Sequence, residues 1–254
     1  MPGIETGAGE LFYTVGRGPR GGPTLVLVHG AGGSRIHWPP ELRRMDEATV
    51  YTLDLPGHGR SGGPGRETID GYVDVVAAFL EAVDVDRAVV VGHSMGGAIA
   101  QKLALEHPVS VRALGLIATG ARLRVAPAIL ETIQGDFEGA VELITRYAWS
   151  ADADRSWVEL GREALKDTGP EVLLGDFLAC DQFDVMDRLG EIEVPVLVVS
   201  GTADELTPTK YARFLAEHIP AARLVTLEGA GHMVMLEQPE EVARAVRGFV
   251  TALR

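Results

Sequence analysis

Short apolar runs rich in β-branched residues recur along the chain, and most are followed by stretches whose apolar residues keep helical spacing. The runs at 25–28, 50–53, 88–91, 113–117, 196–200 and 224–227 read as buried strands, and a run at 11–15 as a first strand. Helical periodicity predicts helices over 69–83, 95–106, 209–218 and 239–252. The last opens on Pro239 with Glu240 and Glu241 in its first turn, a sound N-terminal signal. Strand and helix in alternation predict an α/β fold: a mostly parallel sheet flanked by crossover helices.

From 120 to 193 the rhythm changes to helix after helix, without a convincing strand. Phe137, Val141, Ile144 and Ala148 fall on one helical face; Trp157, Leu160 and Ala164 form another, and Leu173, Phe177 and Cys180 a third. This predicts a helical cap at 121–193 inserted into a core made of 1–120 and 194–254. Trp149 and Trp157 either line a cleft between cap and sheet or fill the cap's own core.

Composition narrows the class. With 254 residues, 46% of them hydrophobic, the chain can bury a full core. A net charge of −13 without a dense Lys/Arg cluster argues against nucleic acid and anionic membrane surfaces as partners. The single cysteine, Cys180, excludes an internal disulfide and fits a reducing compartment. Residues 1–10 lack a basic segment followed by an apolar one, and no run approaches the ~20 apolar residues of a membrane span. A soluble, cytoplasmic protein is the expectation.

The chemistry concentrates where strands end. Gly92-His93-Ser94-Met95-Gly96 is a G-x-S-x-G sequence between the run 88–91 and the helix that follows. A strand entering a helix through so tight a turn strains the central residue and tolerates only glycine around it, which sets Ser94 Oγ above the sheet as a candidate nucleophile. Gly59-Arg60-Ser61-Gly62-Gly63 matches the same pattern, but its surroundings are turn-forming, so Ser61 reads as loop.

A serine needs a base and a group to orient it. Of seven histidines, His232 follows the last strand and precedes the last helix, at the same sheet edge as Ser94, and is the candidate base. His29 and His93 read as turn-pinning residues, His107 and His218 as helix-end residues, His37 and His58 as loop residues. Asp204, in the loop after the penultimate strand, is the candidate orienting acid; Asp54 reads as a binder of local backbone N–H groups, and Asp181, Asp184 and Asp187 as solvated or capping.

The backbone N–H of Met95, at a helix start, and one from the loop His29-Gly30-Ala31-Gly32-Gly33-Ser34, assigned to Ala31, are candidate oxyanion donors. Gly30, Trp149 and Met233 are candidate pocket residues. The glycine-rich loop lacks the patterns of a nucleotide site, and no metal-ligand spacing occurs.

With these residues in place, the chain resembles the α/β-hydrolase fold superfamily, of the esterase and lipase type. The resemblance rests on His29-Gly30, Asp54-Leu55-Pro56-Gly57-His58-Gly59-Arg60-Ser61, Gly92-His93-Ser94-Met95-Gly96-Gly97, Asp204 and Gly231-His232, and spans nearly the whole chain. It implies an eight-stranded sheet with one further N-terminal strand, a cap after the sixth strand, and hydrolysis of a small-molecule ester without a cofactor. Ser94 separates the chain from the aspartate-dependent branches of the fold. A carbon–carbon bond hydrolase, lactonase or lyase with the same triad, and a non-catalytic ligand receptor, stay open. Arg122 and Arg124 either recognise an acidic substrate or are solvated charges.

Overall fold

The protein is described by a computed structural model covering residues 3–253; positions 1, 2 and 254, the outer limits of the expected core segments, lie outside the described residues. The strands are β1 (Gly3–Thr6), β2 (Gly9–Gly16), β3 (Thr24–Val28), β4 (Thr49–Leu53), β5 (Ala88–His93), β6 (Val111–Ile117), β7 (Val196–Gly201) and β8 (Ala222–Leu227). Among the described residues they form one eight-stranded sheet in the order β1-β2-β4-β3-β5-β6-β7-β8. Only the pairings of β2 with β1 and with β4 are antiparallel.

The further N-terminal strand implied by the resemblance is β1. Its four residues, alternately exposed and half-covered, are too few to announce a strand by periodicity, so the run at 11–15 is the second strand, not the first. The run at 224–227 departs from expectation in another way. It lies in β8, the edge of the sheet, where residues are only partly covered rather than buried.

The helices are α1 (Pro40–Arg43), α2 (Ile69–Ala82), α3 (Met95–Glu106), α4 (Pro127–Gly135), α5 (Phe137–Ala148), α6 (Arg155–Thr168), α7 (Pro170–Gln182), α8 (Thr209–His218), α9 (Val234–Glu237) and α10 (Pro239–Ala252). Local chemistry starts several of them: the side chains of Thr68, Asp136 and Asp154 accept N–H groups at the first turns of α2, α5 and α6. Two apolar layers sandwich the sheet. One joins Tyr72, Phe79, Ile99 and Leu103 of α2 and α3 to the sheet; the other joins Trp38, Leu42, Val246 and Phe249. Full burial of a side chain such as Phe79 stabilises the fold by roughly 1.5–3 kcal/mol.

Helices α4 to α7 fill the stretch between β6 and β7 and have a small core of their own, with Ile133, Val141, Ile144, Leu165 and Leu173. The face of α6 expected from Trp157, Leu160 and Ala164 is a correction. Leu160 is exposed, and the buried positions are Gly161 and Leu165, because the helix packs the bare backbone of Gly161 against Trp149. Trp149 and Trp157 both pack against the sheet's second apolar layer, not in the core of these helices.

The parallel registers decide where chemistry is possible. Val28 is level with Gly92, His93 with Ile117, and Gly201 with Leu227, so the strands end side by side. The loops that follow them therefore open onto one edge of the sheet, where ligands bind in open α/β folds.

Candidate active site

Ser94 sits between β5 and α3 at φ 52° and ψ −116°, a left-handed conformation that a non-glycine residue adopts only when its surroundings impose it. They do so closely. A Cβ at position 92 would fall 2.0 Å from Gly96 O, and one at position 96 would fall 2.1 Å from Val28 O, so only glycine fits on either side of the serine. Ser94 N donates to Ile117 O at 2.9 Å, and Ser94 O accepts from Gly97 N and from Thr119 Oγ1, both at 2.8 Å. The backbone is thus bound on both sides of the strained residue.

His232 follows β8 and is buried. Its Nδ1 lies 3.0 Å from Asp204 Oδ2 and 3.2 Å from Oδ1. Asp204 is fixed in turn by the N–H groups of Leu206 and Thr207 at 2.9 and 2.8 Å, and by Thr207 Oγ1 at 2.7 Å. Burial by itself would raise the Asp204 pKa. The adjoining His232 and the Thr207 hydrogen bonds outweigh burial and hold the carboxyl down at about 2, so it is a carboxylate at any working pH. With Nδ1 engaged by that carboxylate, Nε2 is the nitrogen of His232 left to take up a proton. His93 braces the arrangement: its Nε2–H donates to His232 O at 3.0 Å, and the two rings lie 4.8 Å apart.

Above the serine runs the loop after β3. A Cβ at position 30 would fall 2.9 Å from His93 Nδ1 and 3.1 Å from Ser94 Cβ, so this loop lies directly against Ser94. Its Gly30 carbonyl accepts from His29 Nδ1–H at 2.8 Å and from Gly33 N at 3.0 Å. Met95 is the first residue of α3, and such an N–H has no partner inside its own helix.

Gly30, Ala31, Ser94, Trp149, His232 and Met233 line one cavity of about 480 Å³, while Asp204 stands behind His232. That volume lies within the ~300–1,000 Å³ of small-molecule sites. Its outer wall is mostly apolar, from Leu123, Val125, Ile129, Ile144, Leu165 and Phe177. Trp157 does not reach this cavity. Both arginines are exposed: Arg122 lies 3.7 Å from Asp184, and Arg124, at the cavity wall, donates to Asp181 O at 2.9 Å. Among the described residues, no group of three or more His, Cys, Asp and Glu side chains is arranged to hold a metal.

The second G-x-S-x-G sequence has a structural use. Ser61 Oγ accepts from Phe12 N at 2.8 Å and donates to Asp54 O at 2.6 Å, tying the loop to β2. Asp54 is fully buried and accepts from Arg35 N, Arg35 Nη1 and Arg60 N at 2.6 to 2.9 Å. Two residues gave no signal in the sequence. Thr207 is one, because nothing in Thr-Pro-Thr indicates a side chain that bridges acid and base; Asp176 in α7 is the other, fully buried against the loop after β3.

Residues 25–245 match the family described as "Alpha/beta hydrolase family". A pimeloyl-[acyl-carrier protein] methyl ester esterase of Neisseria meningitidis is 32% identical over 241 residues, 89% of this chain and 93% of that protein. The structure of a thermophilic esterase superposes with a TM-score of 0.86 at 36% identity, over 96% of this chain and 94% of the other. That of an enol-lactonase from Burkholderia xenovorans LB400 superposes with a TM-score of 0.91 at 26% identity, over 98% of this chain and 100% of the other. Among the described residues, no helix is long and apolar enough to cross a membrane.

Proposed function

The chain belongs to the alpha/beta hydrolase family, and within it we propose a serine carboxylesterase that cleaves small esters of short to medium acyl chains through a Ser94–His232–Asp204 triad. One observation carries this reading: a serine held at φ 52° and a histidine bound to a buried carboxylate line the same apolar-walled cavity. Ester-hydrolysing relatives over nine-tenths of the chain's length support the same class.

In this mechanism Ser94 Oγ attacks the acyl carbonyl as its proton passes to His232 Nε2, and the carbonyl oxygen becomes an oxyanion held by the Ala31 and Met95 N–H groups. The tetrahedral species collapses, the C–O bond to the alcohol breaks, and the imidazolium gives its proton to the leaving oxygen. Water then repeats the sequence on the acyl-enzyme, with His232 again taking the proton, and the acid is released. Asp204 keeps the imidazole in the tautomer that presents a bare Nε2 and stabilises the imidazolium that forms. Helices within 121–193 act as the cap over the acyl group, with Trp149 on the cavity wall. The one cysteine, Cys180, is buried, and burial pushes its thiol pKa well up, which supports an unreactive, structural thiol; a lone cysteine suits the reducing compartment of a cytoplasmic protein.

A second reading, hydrolysis of a cyclic ester by the same residues, is favoured by the likeness to the enol-lactonase. Both readings are tested by a series of p-nitrophenyl esters from acetyl to palmitoyl and a set of lactones, each run beside Ser94→Ala. Ser94-dependent turnover with a short-chain optimum supports the esterase; turnover of lactones alone supports the second reading. Ester turnover that survives in Ser94→Ala contradicts both.

A further inference from the structure

We infer that Asp176 is a positioning residue for the oxyanion-binding loop: from α7 its buried carboxylate, paired with His58, grips the Gly32 N–H and so fixes the adjoining Ala31 N–H. The inference rests on the reading of Ser94 and Ala31 given above.

Asp176 is fully buried. Its Oδ2 accepts from Gly32 N at 2.8 Å and lies 2.8 Å from His58 Nε2, and its Oδ1 accepts from Tyr72 Oη–H at 2.5 Å. The protonation of His58 follows from its neighbours. Nδ1 faces Pro56 O at 3.0 Å, an acceptor only, and Nε2 faces the carboxylate, so both ring nitrogens donate and the ring is an imidazolium. Burial by itself would lower the His58 pKa, but the Asp176 charge and hydrogen bond outweigh it and leave it raised. A lone buried carboxylate would be strongly disfavoured; this one is balanced by a cation and has a hydrogen bond on each oxygen.

The grip falls where it matters for the proposed chemistry. Ala31 lies between two peptide planes. The first, Gly30–Ala31, is held through Gly30 O by His29 Nδ1–H and Gly33 N at 2.8 and 3.0 Å. The second, Ala31–Gly32, is held through Gly32 N by Asp176. Gly32 O accepts from Thr168 Oγ1 of α6 at 3.2 Å. Gly32 has φ 61°, and a Cβ there would lie 2.5 Å from Leu165 and 2.7 Å from Leu173, so α6 and α7 sit directly on this turn. The His29 and His58 rings lie 4.9 Å apart, which joins the supports of the two planes. Helices α6 and α7, which belong to the stretch between β6 and β7, thus set one half of the donor geometry.

Asp176→Asn tests this. It preserves volume and an acceptor for Tyr72, but places an amide where Gly32 and His58 both donate. Turnover of an oxygen ester should fall roughly 10- to 100-fold in kcat with KM within about twofold. The rate ratio of the oxygen ester to its thionoester should fall too, because a developing thiolate makes poor use of oxyanion donors. His58→Gln, which keeps the carboxylate on Gly32 but removes the cation, should move the ratio in the same direction by less, and carries the test if the first variant does not fold. An unchanged ratio in either folded variant, or a change in KM alone, overturns the inference. Ester turnover by Ser94→Ala, run in parallel, would instead overturn the reading beneath it.

Discussion

Asp204 Oδ2 lies 3.0 Å from His232 Nδ1, two residues 28 positions apart in sequence, and Thr207 Oγ1 stands beside this contact at 2.7 Å from the one and 3.2 Å from the other. The acid therefore fixes both the rotation and the tautomer of the ring. Asp204→Asn would offer Nδ1 a neutral partner that tolerates either tautomer. The expected result is a loss of roughly 10³- to 10⁴-fold in kcat with the fold retained. Steady-state kinetics on a p-nitrophenyl ester, beside circular dichroism, measure it, and a loss below tenfold would contradict the assigned role.

Acid stability carries a second signature. His37 is buried, and its Nε2 has no hydrogen-bond partner among the described residues. Burial first, and the charge of His58 second, hold its pKa at about 4 against an ordinary 6.5. An unfolded imidazole takes up a proton below 6.5 while this one stays neutral until about 4, so lowering the pH from 7 to 5 favours the unfolded chain. His93, held at about 3 by burial and by His232, acts in the same direction; His58, whose pKa is raised, acts in the opposite one. The His37 share is about 2 kcal/mol between pH 7 and 5. Guanidinium denaturation at both pH values should give His37→Gln a smaller loss than the wild type by about that amount. Equal losses in the two proteins would contradict the burial of a neutral ring.

Ser61 separates motif from mechanism. Ser61→Ala removes the acceptor of Phe12 N and the donor to Asp54 O. The expected effect is a stability loss of about 1–3 kcal/mol with kcat unchanged, read by denaturation and kinetics on the same preparation. A fall in kcat comparable with that of Ser94→Ala would overturn the choice between the two serines.

The contrast between these serines also marks what the sequence makes legible. Strands such as 88–91, three valines closed by Gly92, declare themselves locally, and the strand-end positions of Ser94 and His232, on which their proposed roles depend, are read in the same way. Strand β1 does not, since four half-covered residues carry too little periodicity. The buried face of α6 is misread because its central position is a glycine, whose contact with Trp149 no apolar pattern records. Asp176 and His58 escape for a different reason. They are 118 residues apart, and each alone looks like an ordinary polar residue, so only the packing of α7 onto the loops after β3 and β4 makes them a pair.

The central claim is that Ser94 is the nucleophile. It is tested most directly by reacting the folded protein with a fluorophosphonate and mapping the adduct by peptide mass spectrometry. The expected result is one adduct per chain, on Ser94, absent in Ser94→Ala and slowed in Asp204→Asn. An adduct on Ser61 or elsewhere, or none on the wild-type protein, would contradict the account.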